Sequence, residues 1–316
     1  MISNIGVMLN LHRLRLLHAF RLRGTVSAAA GAMGLSPSTV SQQLTQLERE
    51  AGAELFHRGG RSLRLTPAGL RLAEHARTML DLQDEALRSL SAGEPELSGV
   101  LRLSVFQSAA LALAPSALTR LKADHPDLRV EVVQAPPERA LFDLAGRRHD
   151  LVVAEQYPGV SRPRQAEFDI EELGTDRLWV VVPSQLADTA PDDLDAYPWV
   201  MEPAGTASRE WSLQQCRALG FEPDARFTTD DLVSHLRIIR AGLAVGILPE
   251  LLLTDQGTDG VALLPLPQEP SRSIYTTARR ASAETPAAQA CRSALREAFR
   301  LSAARRRGLR QGRGAG

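Results

Sequence analysis

Two cysteines among 316 residues, Cys216 and Cys291, are too few for a disulfide framework, and neither sits in a CxxC pair or a thiolate metal cluster. Such scarcity suits a reducing compartment. No basic start followed by an apolar core directs the chain to export, and the most apolar run, 109–118, is short and broken by Pro115. A membrane-spanning helix needs about 20 apolar residues, so the expectation is a soluble, cytoplasmic protein with no membrane partner. Catalytic signatures are missing too. There is no HExxH, GxSxG or P-loop, and Gly242 and Gly246 lack the third glycine of a dinucleotide fingerprint. The seven histidines, His12, His18, His57, His75, His125, His149 and His235, form no constellation. These absences argue against an enzyme and against a resident metal or cofactor.

Net charge is absent as well, but only in the sum. Residues 11–72 carry nine arginines against three glutamates, residues 73–299 carry 22 basic against 34 acidic side chains, and the last seventeen add six arginines and no acid. A basic N-terminal block beside an acidic body suggests that the block meets a polyanion while the body would repel one. With 44 % apolar residues and this length, two or three globular units are expected. The tail, 303–316, has almost nothing apolar to bury and reads as disordered.

Within the basic block, Leu11, Leu14, Leu17 and Phe20 recur at helical spacing with arginines outward, and Gly24 ends that helix. Ser27 reads as the N-cap of a short helix, 28–33, and Gly34 takes the left-handed turn that follows, with Leu35 plugging the core. Ser36 caps a third helix that begins at Pro37, where a missing N–H costs nothing. Val40, Leu44 and Leu47 form its buried stripe. Its other face presents Ser38, Thr39, Ser41, Gln42 and Thr45, short hydroxyl and amide groups able to enter a major groove and meet base edges or phosphates. After Gly52, Leu55 and Phe56 start a strand, Arg58-Gly-Gly-Arg61 makes a turn, and Leu63 and Leu65 return to Thr66-Pro67. That hairpin is a wing with Arg58 and Arg61 at its tip, placed for phosphates or a narrow minor groove.

The run GTVSAAAGAMGLSPSTVSQQLTQLEREAGAELFHRGGRSLRLTPAG, 24–69, resembles the winged helix-turn-helix of LysR-type transcriptional regulators. Ala29-Ala30, Ser36, Val40-Ser41, Leu47-Glu48, Gly52, Leu55-Phe56, Arg58, Arg61 and Leu65-Thr66-Pro67-Ala68-Gly69 fall at that family's motif positions. Gln42 departs from it, since many members carry Arg or Lys there. The resemblance implies base-edge reading by Ser38, Thr39, Ser41 and Gln42 beyond Pro37, phosphate contact by Ser27 and Ser36, and wing contact by Arg58 and Arg61. It places the DNA-binding domain at 9–66 and makes residues 1–8 an extension, with Met8 a candidate start.

From Pro67 to residue 92, Ala73, Ala76, Leu80, Gln83, Leu87 and Leu90 fall in an a/d heptad pattern. One chain is expected to leave that seam bare, so the helix should pair with its copy, as the resemblance also implies. Two recognition helices related by a two-fold axis would read an interrupted inverted repeat in double-stranded DNA. A dimer or tetramer that also meets RNA polymerase is what the family likeness suggests.

After the polar hinge 91–96, strands and helices alternate in the manner of a parallel sheet. Strands are expected at 100–106, 128–134, 150–154, 178–182, 199–202, 226–228, 245–248 and 272–278, with helices at 109–123, 138–145, 208–219, 232–241 and 286–301. The segment AGLAVGILP, 241–249, is similar to one in the family's effector domain. The implied fold is a two-lobed α/β, periplasmic-binding-protein-like effector domain, 99–302, preceded by the winged domain and a long linker helix. Lobe I would hold 99–173 and 273–302, and lobe II 174–272. Ligands of such folds sit beyond strand C-terminal ends, which points to Phe106, Gln107 and Ser108, to Glu155, to Glu202 and Thr206, and to Thr229, Asp230 and Asp231. The acidic groups favour a cationic or hydroxyl-rich effector, whereas a helix start near Ser108 could hold a carboxylate. Two rival readings do worse: a transport protein lacks an export signal here, and a DNA-compacting protein would be basic throughout.

Overall fold

The computed structural model describes residues 8–59, 62–90, 97–160 and 167–311. Helix α1, Leu11–Arg23, starts on Asn10, whose side chain accepts the N–H of His12 and Arg13, and stops at Gly24 in the left-handed region. Leu16, His18 and Ala19 are buried as well as Leu14, Leu17 and Phe20, because neighbours cover this helix on several sides. Its arginines divide accordingly. Arg15 and Arg21 are exposed, whereas Arg13 pairs with Glu50 and Arg23 with Asp143.

Helix α2, Val26–Met33, is capped by Thr25 and not by Ser27. Thr25 has the extended backbone a cap requires, so its Oγ1 meets the Ala28 N–H at 3.1 Å, while Ser27 already lies inside the helix and is exposed. Gly34, with φ 64°, makes the turn into α3, Pro37–Ala51, whose buried residues are Val40, Leu44 and Leu47. Strands β1, Phe56–Gly59, and β2, Ser62–Leu65, pair antiparallel as the wing.

Helix α4, Pro67–Leu90, corrects the expected seam. Ala73, Ala76 and Leu80 are buried within this chain, the first two in one apolar core with Leu17, Phe20, Leu44 and Phe56. The small size of Ala73 and Ala76 lets α1 and α4 pack closely, so the start of the a/d stripe is spent on the chain's own winged domain, whereas Gln83 is exposed. The bare face lies about a third of a turn away and carries His75, Met79 and Leu82. The side chains of Leu87 and Leu90 and the hinge 91–96 lie outside the described residues.

Lobe I begins with β3, Gly99–Val105, α5, Gln107–Ala112, α6, Ala114–Asp124, β4, Leu128–Gln134, α7, Pro137–Ala145, and β5, Leu151–Gln156. The single helix expected at 109–123 is two, parted at Leu113, because Pro115 offers no N–H to continue the first. A 16-residue strand, β6, Phe168–Pro183, then runs through both lobes. Lobe II adds β7, Pro198–Met201, α8, Ala207–Ala218, β8, Asp224–Thr228, α9, Leu232–Arg240, β9, Gly246–Pro249, α10, Glu250–Gln256, and β10, Val261–Pro265. The chain returns along β11, Ser271–Arg279, to α11, Arg280–Ala283, and α12, Pro286–Gln311.

The main sheet has the order β10-β6-β11-β5-β3-β4, with β9 also on β6. It is mixed and not parallel. Strand β3 runs parallel to β4 and β5, whereas β11 is antiparallel to both β5 and β6. The first half of β6 pairs with β11 and its second half with β9 and β10, so one strand carries the sheet from lobe to lobe. Strands β7 and β8 form a separate parallel pair, joined to the β9 region by a bridge between Trp199 and Val245. The expected disordered tail is also corrected: α12 continues to Gln311, since extending a formed helix through Ala and Arg costs far less than starting one. Residues 312–316 lie outside the described residues.

Candidate functional site

Two places matter, the outer face of α3 and the cleft between the lobes. At the start of α3, Ser36 Oγ accepts the Thr39 N–H at 3.1 Å and lies 2.8 Å from both Ser38 Oγ and Thr39 Oγ1. This hydroxyl cluster sits where the helix leaves N–H groups without intrahelical partners and its dipole is positive. Ser36, Pro37, Ser38, Ser41 and Gln42 are exposed and Thr39 is half-buried. Ser38, Ser41 and Gln42 share one face by their spacing. Ser27 is exposed on α2. Arg58 lies on β1, and Arg61, with the wing tip, lies outside the described residues.

What holds this face in place is a set of polar contacts whose roles the sequence did not announce. The Glu48 carboxylate accepts the N–H groups of Leu55 and Phe56 at 2.9 and 3.0 Å, tying the end of α3 to the wing. Arg13 donates to Gln43 at 2.9 Å and pairs with Glu50, tying α1 to α3. Thr66 donates to the Glu54 carbonyl at 2.7 Å and accepts the Gly69 N–H at 3.0 Å, which starts α4 against the wing. Gly69 itself must be glycine, because a Cβ there would stand 2.2 Å from the Leu55 carbonyl oxygen. Phe20 and Phe56 meet edge to face at 5.5 Å in the core beneath.

In the cleft, the central side chain is Arg272 of β11, which sequence reasoning did not single out. It is buried, pairs with Glu155 and Asp176, and donates to Ser108 Oγ at 2.5 Å. Tyr157 OH lies 3.4 Å from its Nη1, and its guanidinium stands 5.1 Å from the Phe106 ring centre. Thus Phe106, Ser108 and Glu155 do converge, and what draws them together is an internal cation. The carboxylates on either side stabilise that charge, raising Arg272 above its already high ordinary value despite its burial. Asp176 also accepts the Leu251 N–H at 2.9 Å, so both lobes are stitched at this point.

Gln107 reaches across the cleft. Its amide nitrogen donates to Asp231 at 2.6 Å and its oxygen accepts the Leu232 N–H at 2.7 Å at the start of α9. Asp231 caps that helix and donor bonds, first from Ser234 and then from Gln107, hold its carboxyl below the usual range. Thr206 caps α8, Thr229 Oγ1 accepts the Asp231 N–H at 3.2 Å, and Asp230 is exposed. Glu202 takes a hydrogen bond from Ser208, yet desolvation, with Glu138 and Asp230 adding repulsion, raises its pKa. Beside it a cavity of about 20 Å³, room for a water, is lined by Tyr157, Trp199, Trp211 and His235. Burial lowers the His235 pKa, and its Nε2 donates to the Thr229 carbonyl at 2.8 Å. Among the described residues no cluster could hold a metal ion and no helix is long and apolar enough to cross a membrane.

Comparison with known proteins agrees with both halves. Residues 11–70 match the bacterial regulatory helix-turn-helix protein model of the lysR family, and residues 94–300 match the LysR substrate binding domain. The chain is 29 % identical over 262 residues to the HTH-type transcriptional activator IlvY of Salmonella typhimurium, covering 82 % of this chain and 84 % of that one. It is 28 % identical over 280 residues to the transcriptional regulator PtxR of Pseudomonas aeruginosa, covering 86 % and 88 %. Full-length OxyR from Pseudomonas aeruginosa superposes with a TM-score of 0.64 at 19 % identity over 93 % of this chain and 95 % of that one. ArgP from Mycobacterium tuberculosis does so with 0.60 at 21 % identity over 92 % and 98 %. At such identities the structures speak for the fold, and the two family models, which span most of the chain, decide the rest. The protein belongs to the LysR family of DNA-binding transcriptional regulators, with a small-molecule effector domain behind its winged helix-turn-helix.

Proposed function

We propose that two copies, paired through the bare face of α4, read an interrupted inverted repeat in double-stranded DNA. Ser38, Thr39, Ser41 and Gln42 contact base edges, Ser27, Ser36 and the helix start at Pro37 meet phosphates, and Arg58 and Arg61 reach the flanking backbone from the wing. The observation that carries this reading is the exposed polar face of α3, set out by the Ser36 cap on an otherwise apolar, arginine-rich unit. The pairing rests on Met79 and Leu82, 38 % and 58 % exposed and one turn apart on that bare face. Pairs of pairs and contact with RNA polymerase extend the same reading, as does a cytoplasmic location.

The effector site is the cleft between Phe106, Gln107, Ser108 and Glu155 of lobe I and Glu202, Thr206, Thr229 and Asp230 of lobe II. Since Ser108 and Glu155 already serve Arg272, the groups with capacity for a ligand are Glu202 and Asp230, both acceptors. A cationic or hydroxyl-rich effector fits them better than a dianion.

The test is binding of the full-length protein to its own upstream intergenic DNA, titrated over salt and against a random duplex of equal length. Specific binding should exceed the random duplex by roughly a thousandfold or more. Arg61→Ala should weaken both duplexes and flatten the salt slope by about one unit, whereas Gln42→Ala should change the ranking among sites. Equal loss on every sequence for Gln42→Ala would remove it from base reading.

A further inference from the structure

The DNA-binding unit does not stand clear of the effector domain. Helix α1 lies against α7: the Arg23 guanidinium stacks 3.8 Å over Phe142 and pairs with Asp143, and His18 Nε2 donates to the Ala145 carbonyl at 3.1 Å. Leu22 packs against the lobe I cluster that includes Leu144, Ala145 and Phe168. From the turn after α7, buried Arg147 reaches α4 and pairs with both Asp81 and Asp84.

Beside this seam lies a cavity of about 270 Å³, far larger than the one in the cleft and large enough for a small metabolite. One wall belongs to the DNA-binding unit and its helix, the other to lobe I. Four guanidiniums, those of Arg77, Arg147, Arg279 and Arg280, line it against the carboxylates of Glu74, Asp81 and Glu167. Glu74 is already shared by Arg77 at 2.9 Å and Arg21 at 3.4 Å, and Asp81 by Arg147 and Arg77. Arg279 is incompletely served. It is buried, its Nη1 donates to the carbonyls of Leu144 and His149 at 3.1 and 2.6 Å, its Nη2 meets Asp150 at 3.4 Å, and its Nε has no acceptor among the described residues. Desolvation, aided by neighbouring Arg147, pulls its pKa below the ordinary value. A buried guanidinium beside a second one, held by two carbonyls and a single carboxylate contact at 3.4 Å, is the environment that an oxyanion relieves.

We propose that this cavity is a second small-molecule site, separate from the inter-lobe cleft, that takes a compact oxyanion, a phosphate or a short carboxylate. Its occupant touches both units at once. Binding therefore favours the docked placement of the DNA-binding unit over any placement in which the seam opens, and by linkage it reports metabolite level to DNA geometry without passing through the cleft.

Calorimetric titration of the full-length protein, in chloride buffer at fixed ionic strength, tests this with two probes, inorganic phosphate and malonate. One saturable event per chain is expected at millimolar or tighter affinity, and the tighter probe identifies the oxyanion. Arg280→Ala, on the lobe I wall, should weaken it by about tenfold. Ala281→Phe should abolish it by filling the space. Glu167→Gln, which removes a carboxylate from the wall, should strengthen it, an effect that misfolding would not produce. Glu202→Gln in the cleft should leave it unchanged, which separates failure here from failure of the cleft reading. No saturable binding of either anion, wild-type affinity in both Arg280→Ala and Ala281→Phe, or weaker binding in Glu167→Gln would overturn the proposal.

Discussion

The interior of the DNA-binding unit and the interior of the effector domain are built on different principles. The first is a small apolar core in which Leu14, Leu17, Phe20, Val40, Leu44, Leu47 and Phe56 meet, while the buried, ionisable His18 lies at its border with lobe I, against the Ala145 carbonyl. Its ion pairs lie at the edge, Arg13 with Glu50 half-buried and Arg21 with Glu74 exposed. The second buries the guanidiniums of Arg272, Arg279 and Arg292 among strands and helices drawn from distant parts of the chain. An apolar core loses stability in proportion to what is removed, whereas a buried charge network is tolerable only when complete. The reading head is therefore stiff, and the joint between the lobes is where a modest change of charge has the greatest leverage.

The sharpest way to break this contrast is Arg272→Ala. It would leave Glu155 and Asp176 buried without their cation, and a loss of about 3–5 kcal/mol is expected from urea unfolding of the effector domain. Arg272→Met, which restores volume but not charge, should recover little, because the two carboxylates remain. Adding Glu155→Gln and Asp176→Asn to it should recover most. A loss below about 1 kcal/mol in Arg272→Ala would mean that water reaches the network and that the lobes are not stitched there.

A smaller effect is expected on the other side of the comparison. Gly69→Ala sets a methyl against the Leu55 carbonyl, with a backbone atom and no flexible side chain to yield. The start of α4 must then part from the wing, at a cost of about 1–3 kcal/mol. Because the strain is confined to the reading head, DNA affinity should fall on all sequences alike while effector-domain unfolding stays unchanged. Loss of both together would show that the units unfold as one.

The same division governs what could be read in the chain beforehand. Ser36-Pro37, Gly34, Gly52 and the Arg58–Arg61 turn act through neighbours a few residues away, so the helices and the wing of the first unit are legible from local spacing. Ser27 for Thr25 is an error of two residues between equally good caps, decided by which one holds an extended backbone. Heptad spacing in α4 marks Ala73, Ala76 and Leu80, which are buried, but it cannot say whether another copy or the same chain covers them. In the effector domain most strands are visible as apolar runs. The antiparallel return of β11, the continuity of β6 and the gathering of Ser108, Glu155 and Asp176 around Arg272 depend on pairings a hundred residues apart. Arg272 reads as one more surface arginine until its partners are known, and the cleft residues were found by position after strands, without the cation that organises them.

A finer test of the reading head is its cap. Ser36→Ala removes the acceptor for the Thr39 N–H and the hub of the Ser38 and Thr39 hydroxyls, at a cost of about 1 kcal/mol in thermal unfolding. Ser36→Asp should restore the cap yet weaken DNA binding, since a carboxylate would then face the phosphates. Full binding by Ser36→Asp would separate this helix start from the DNA backbone.

The smallest expected effect belongs to the cleft and depends on pH. Glu202 has its pKa raised, first by desolvation and then by Glu138 and Asp230, so its folded value exceeds the ordinary 4.5. A carboxyl raised in this way favours folding while protonated, and that advantage is lost as pH rises from the unfolded value through the folded one. Glu202→Gln stays neutral throughout. Below pH 4.5 the two proteins should therefore be nearly equal in stability, and the variant should become the more stable one as pH rises towards neutrality. A pH-independent difference would mean that the glutamine simply replaces the Ser208 hydrogen bond and that the acid is not under strain. A cationic effector would cancel the strain directly by favouring the ionised carboxylate. Its binding to the wild type at mildly acid pH should release a proton, seen as a heat that varies with the ionisation enthalpy of the buffer, and Glu202→Gln should abolish that release. A neutral, hydroxyl-rich effector would bind without it, so this one residue can decide between the two ligand classes that its cleft accommodates.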